Sequence, residues 1–272
     1  MALFRYLTFE GGLATLKNGT LKLTPPREFN DPFDMYPAWK VEPTDEMIAQ
    51  LYREDNQGLQ MSFEEFRAAA LSNPNAYRDA AQNEVFNGIN MDFGAVCFSH
   101  RRDSVPMWGY YCSQQTGLVI EFDETRHHFR EMFGTSLRDV HYVFARQSFT
   151  EMGSTDFSIF YTKSLDWGHE AEVRLIHPLK DTRVTKGVIG AQPAWFLAYP
   201  RDSVTAIYFG CRMSAESKRT IATGLSDWGF NDVKLIEMHP HPENFAFDEH
   251  AYDNPDSKSA HYLPNAGQDV QR

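Results

Sequence analysis

Glu170 and Glu172 stand two residues apart in the run Lys163 to Arg174, KSLDWGHEAEVR, with Trp167 before them and Arg174 after. Read as a strand, in which side chains alternate between faces, the run places Glu170, Glu172 and Arg174 on one side. Ala171, Val173 and Leu175 fall on the other, apolar side. Two carboxylates held that close repel, and repulsion raises the proton affinity of one of them. Such a pair suits proton transfer or the stabilisation of developing positive charge. The plainer alternative is a pair of solvated charges on an edge strand, one of them matched to Arg174.

These residues need a frame. LFRYL at 3–7 and TLKLT at 20–24 read as short strands, with a helix over 9–18 between them that Gly19 ends. Pro25-Pro26 then stops regular structure, and Asn30-Asp31-Pro32 carries turn chemistry. Residues 44–90 predict three helices: Ser62 and Glu65 have capping-box spacing, and Asn73-Pro74 puts proline at a first helical position. Strands follow at 93–98, 118–122, 204–209 and 233–237, with alternation at 139–144. Helix or tight turn is expected over 105–112, helix from Asp123 to about 133, over 154–165, and from Ser214 to Leu225. Short strands and helices without a βαβαβ rhythm predict an α+β fold. The expectation is one domain over 1–240, with a helical insertion at about 44–90 and an irregular tail over 241–272.

The chain has 272 residues, 42% of them hydrophobic and 14% aromatic, enough for a sizeable core. A net charge of −11 argues against a surface that coats nucleic-acid phosphates. Cys97, Cys112 and Cys211 lack CxxC spacing and fit a reducing cytosol. No basic and apolar leader is evident at the start, and no apolar run approaches the roughly 18 residues of a membrane-crossing helix, so a cytoplasmic location is expected.

Several motifs recur in a recognisable order: Arg5-Tyr6, FNDPFD at 29–34, CFS at 97–99, MW and YY at 107–111, Gly117 with LVIEF, the K-x3-W-x2-E-x-E-x-R run, and IYFGCRMS at 207–214. In that order they resemble the bacterial family known as domain of unknown function 2971, over roughly residues 3–240. More distantly, the chain is similar to toxin-type ADP-ribosyltransferase domains. Those carry an early strand-borne Arg or His, a strand ending in a small hydroxyl residue near aromatics, and a late Glu-x-Glu strand. The resemblance implies a mixed, mostly antiparallel split sheet. It also implies NAD as the substrate and cleavage of the nicotinamide–ribose bond, in the setting of a bacterial toxin or an anti-phage effector. The strand here ends Phe-Ser-His rather than Ser-Thr-Ser, a departure from that pattern.

Residue by residue, the resemblance gives Glu172 the central role. It would accept a hydrogen bond from the nicotinamide-ribose 2′-hydroxyl and stabilise an oxocarbenium-like state. Glu170 would orient the attacking nucleophile or take its proton. Arg5 would clamp a phosphate or ribose, with a surface or inter-strand ion pair as the alternative. Tyr6 follows Arg5 and so points to the opposite face of a strict strand. Trp108, Tyr111 and Trp167 could stack on nicotinamide or adenine, or simply fill a core. Ser99 could support the pocket or cap the strand end.

Other chemistries are poorly signalled. The chain has no G-x-G-x-x-G after a strand, no P-loop and no HExxH. His239 and His241 form only a lone HxH, so no metal is expected. Two competing functions stay open: a noncatalytic ligand- or protein-binding module, and a hydrolase or nuclease with a metal on Asp31, Asp34 or the glutamates. The acceptor of a transferred ADP-ribose, whether protein, nucleic acid, small molecule or water, stays open too.

Overall fold

Thr8, Ser62, Asn73 and Ser214 start helices in the computed structural model of the chain, which describes residues 1–36, 38–39, 44–55, 60–133, 136–146, 148–149 and 157–253. Each side chain accepts a hydrogen bond from an amide of the first turn, the usual remedy for unpaired N–H groups there. Ser62 and Glu65 form the full reciprocal capping box. The fold is mixed α+β, and its strand pairings are mostly antiparallel. The chain gathers into two units, each made of separate segments.

The first unit comprises Met1–Thr20, Ser99–Met132 and the described part of Tyr199–Arg272. Its strand Ala2–Leu7 runs antiparallel to Leu118–Asp123, from Ala2 opposite Asp123 to Leu7 opposite Leu118. Leu118–Asp123 pairs on its other side with Val204–Phe209, which lies parallel to Lys234–Pro240. The helix Ala215–Asp227 makes that parallel crossover. Helix Phe9–Asn18 ends at Gly19, whose φ of 65° is the left-handed conformation glycine adopts without strain. Gly117 has no room for a side chain, since a Cβ there would collide with the Leu7 carbonyl. Phe4, Tyr6, Trp108, Val119, Tyr208 and Met238 pack together as a core. The expected irregular tail contains a strand, Phe247–Ala251, paired antiparallel with Lys234–Pro240. Three consecutive polar residues, Asp248, Glu249 and His250, hid its alternation. The remaining tail, from residue 254, lies outside the described residues.

The second unit comprises Leu21–Phe98 and Phe133–Ala198. It holds the expected three-helix insertion, Asp45–Asp55, Phe63–Ser72 and Pro74–Asp92, around Met47, Ile48 and Ala70. The strand Glu172–Pro178 lies between Phe93–Ser99 and Leu137–Asp139. It is therefore not an edge strand. Two features differ from expectation. Within 154–165, residues 157–161 form a 3-10 turn and Thr162–Ser164 a short strand parallel to His141–Val143, while 154–156 lie outside the described residues. The hairpin Val184–Ile189 with Gln192–Ala198 escaped sequence reading because Gly187, Gly190 and Pro193 interrupt its pattern.

Candidate functional site

The run that opens the sequence reading is not one strand. Leu165–Glu170 is a 3-10 turn, and the strand starts at Glu172. Between them Ala171 takes a left-handed conformation, φ 43° and ψ 52°. This kink replaces the expected shared strand face. It lets Glu170 and Glu172 converge on a single cation, Lys163.

Lys163 Nζ lies 2.6 Å from Glu170, 3.2 Å from Glu172 and 3.5 Å from Asp34, with the Trp167 ring centroid at 4.9 Å. Its stem comes from Thr162–Ser164, the strand that places it opposite Tyr142. Arg174 is wholly buried and uses all of its donors. Nε and Nη2 bond the two oxygens of Glu172 at 2.6 and 2.8 Å. Nη1 and Nη2 bond the two oxygens of Asp34 at 2.9 and 3.0 Å, and Nη1 also reaches the Phe160 carbonyl at 2.8 Å. Phe29 covers the guanidinium, 5.5 Å from its ring centroid. Asp34 reaches this centre because the expected turn forms: Asp31 accepts from the Phe33 amide at 2.9 Å.

Among the described residues, three buried carboxylates thus face two buried cations. Burial alone would raise the Glu172 pKa. The charges of Arg174 and Lys163, with the Arg174 hydrogen bond, outweigh it and hold the value at about 2. The expected like-charge repulsion between the glutamates is therefore overcome by the cations interposed between them. Glu172 is an ionised acceptor at neutral pH. Lys163 stays protonated: burial opposes its charge, but Glu172, Asp34 and Glu170 raise its pKa.

Two further groups border Glu172. Cys97 is exposed although it sits between buried Val96 and Phe98. The surrounding protein and then the Glu172 charge push its thiol well above the ordinary range, and the thiol lends Glu172 a weak hydrogen bond. Tyr142 accepts a hydrogen bond from the Glu172 amide at 2.8 Å. Beside the cluster lies a pocket of about 230 Å³, with Lys163, Thr162 and Ile159 among its lining and Phe33, Phe144 and Arg146 beside them. Arg146 sits over the Phe33 ring, 5.2 Å from the centroid.

Of the residues singled out from the sequence, Glu170, Glu172 and Trp167 meet in this second unit around Lys163. Arg5, Tyr6, Ser99, Trp108 and Tyr111 belong to the first unit. There Tyr6 and Trp108 pack edge to face at 5.6 Å, and Tyr111 packs against the same core. Trp108 has no exposed surface, and its Nε1 donates to the Arg102 carbonyl at 2.8 Å. Its faces are taken by core packing, the alternative given above for this residue. Ser99 lies opposite Phe4 and accepts from the Arg101 amide at 2.9 Å. Arg5 is buried on the face away from Tyr6, towards Tyr199.

Sequence reading missed Cys97 and Tyr142, and treated Asp34 only as a metal ligand. Asp34 had a signal, an acid just past a Pro turn in an aromatic loop. Tyr142 had none, since its contact depends on a parallel pairing between distant segments. Among the described residues no group of three or more His, Cys, Asp or Glu could hold a metal ion. The space among Asp34, Glu170 and Glu172 is filled by the Lys163 ammonium. Among them, too, no helix is long and apolar enough to cross a membrane. No family model, curated protein or solved structure matches the chain.

Proposed function

We propose that the protein consumes NAD, as an ADP-ribosyltransferase or NAD glycohydrolase on an ADP-ribosyltransferase-like fold, with Glu172 as the essential carboxylate. The supporting observation is the charge state of the site. Glu172 is ionised and gripped through both oxygens by Arg174, in a cluster where the described residues set three carboxylates against two cations. That arrangement suits a ligand that is cationic or becomes so. NAD meets the condition twice, in its pyridinium ring and in the oxocarbenium-like ribose that forms as nicotinamide leaves. A carboxylate fixed in advance stabilises such charge without reorganising during the reaction. The pocket beside Lys163, with aromatic and aliphatic walls, suits a flat ring.

In this mechanism Glu172 accepts from a ribose hydroxyl and faces the growing positive charge. Lys163 and Arg174 hold it in position and keep it ionised. Glu170, ion-paired to Lys163, orients the group that attacks the ribose carbon. The test is to supply labelled NAD and follow nicotinamide release by wild type and Glu172→Gln. Release by wild type that is lost in the variant supports the proposal. No binding and no turnover with any acceptor, water included, counts against it.

One observation favours a second reading, a binding module without turnover. Every donor of Arg174 is engaged inside the protein, as in a purely structural clamp. In that case Glu172→Gln lowers stability and leaves ligand binding intact.

A further inference from the structure

Phe144 and Phe33 are 95% and 59% exposed, and both line the pocket of about 230 Å³ beside Lys163. A single apolar side chain in water is ordinary, but two beside one cavity mark a place that a ligand covers. The pocket also reaches Met35 and Ile159, which belong to a buried core, so an apolar ring leaves water on entering. Tyr36 forms a wall that is already fixed. Its ring meets Phe86 edge to face at 4.6 Å, and its hydroxyl donates to Asn83 at 2.9 Å.

Most polar groups lining the pocket spend their protons inside the protein. Thr162 donates to the Ser158 carbonyl at 2.9 Å, Ser164 to the Asp166 carboxylate at 3.1 Å and Lys163 to Glu170 at 2.6 Å. Arg146 is the exception. It is exposed, lies over the Phe33 ring at 5.2 Å from the centroid, and forms no ion pair among the described residues. A guanidinium over an aromatic face keeps its in-plane N–H groups, and their fork matches the two oxygens of a carboxylate. The pocket thus joins an apolar, aromatic interior to one cation with donors to give.

Its size narrows the ligand. Sites for drug-sized molecules run from roughly 300 to 1,000 Å³, so about 230 Å³ holds one ring with a short substituent rather than a whole nucleotide. We infer that this pocket binds a small aromatic acid, a single flat ring bearing a carboxylate, with the ring against Phe33 and Phe144 and the carboxylate on Arg146. This goes beyond the NAD-consuming reading and does not need it, since neither Glu170 nor Glu172 takes part. An acid held here would fill the space given above to a flat ring of NAD, and would compete with it.

Ligand-observed NMR titrations of the full chain, without NAD, compare benzoate with benzamide, its neutral isostere. Benzoate should bind wild type roughly three- to tenfold more tightly. Arg146→Gln should remove that preference and leave benzamide binding unchanged. Phe144→Ala should weaken both ligands by a similar factor. Both side chains are exposed and stand outside the acid cluster, so thermal melts of the variants should match wild type. No binding of benzoate, equal affinity for the two ligands in wild type, or a benzoate preference that survives Arg146→Gln overturns the inference. Adenosine monophosphate tests the larger ligand: tighter binding than benzoate, lost in Arg146→Gln, would assign the pocket to a nucleotide and overturn the aromatic acid. Because no titration contains NAD, the outcome is read independently of the nicotinamide-release test.

Discussion

Asp34 and Arg174 lie 140 positions apart in the chain and meet through two parallel hydrogen bonds, 2.9 and 3.0 Å, around a guanidinium with no exposed surface. This fork joins the Asn-Asp-Pro turn to the strand that begins at Glu172. It neutralises one side of Arg174 and leaves the other side for Glu172. Charges buried this deeply are tolerated when their partners and hydrogen bonds are complete, and strongly destabilising when one is removed.

Asp34→Ala should therefore cost about 3–5 kcal/mol, because Arg174 stays buried with part of its compensation gone. Urea denaturation of wild type and variant measures the loss. A cost within about 1 kcal/mol, typical of an exposed pair, would show that the fork does not hold the site together.

Stability should fall steeply in acid, and Glu172 should be a main cause. Its pKa is about 2 in the folded chain, below an ordinary value near 4.5. A carboxyl depressed on folding contributes stability that is complete above its unfolded pKa. That stability is lost as pH falls through the folded value. Between pH 5 and pH 3 wild type should lose about 2 kcal/mol more than Glu172→Gln, which has no such group to titrate. Equal losses in urea midpoints over that interval would contradict the ionised state assigned to Glu172.

Ala171 turns the chain in a left-handed conformation between the two glutamates. A β-branched residue resists that conformation far more than alanine does. Ala171→Val should cost about 2 kcal/mol, whereas Ala171→Gly should stay within about 1 kcal/mol of wild type. Denaturant midpoints of both variants decide it. A tolerated valine would mean that the convergence on Lys163 does not depend on this kink.

Trp108 offers a contrast. Wholly buried and packed against Tyr6, it should behave as core: Trp108→Ala should lose about 3–5 kcal/mol. Trp108→Phe, if folded, should bind NAD as wild type does. Selective loss of NAD binding at unchanged stability would instead return Trp108 to the stacking role that the sequence resemblance implied.

Much of the frame was legible in local pattern. Caps at Ser62, Asn73 and Ser214, the Gly19 stop and the alternation at 3–7, 118–122 and 204–209 are decided within a few residues, and those elements form near their expected bounds. The site was legible only in part. Glu170, Glu172 and Trp167 stood out because they are neighbours in sequence. That Lys163 and Arg174 would sit among three carboxylates could not be read there, because Asp34 comes from a distant turn. Alternation also misled, since it assumed a strand where Ala171 turns the chain. Tyr142 and Cys97 join the site through pairings that only the folded chain displays.

The central claim concerns Glu172, and release of nicotinamide from NAD under single-turnover conditions tests it most directly. Wild type should release nicotinamide, and folded Glu172→Gln should do so at least about 100-fold more slowly while still binding NAD. Equal rates in the two proteins, or no release by wild type with water or any acceptor, would contradict it.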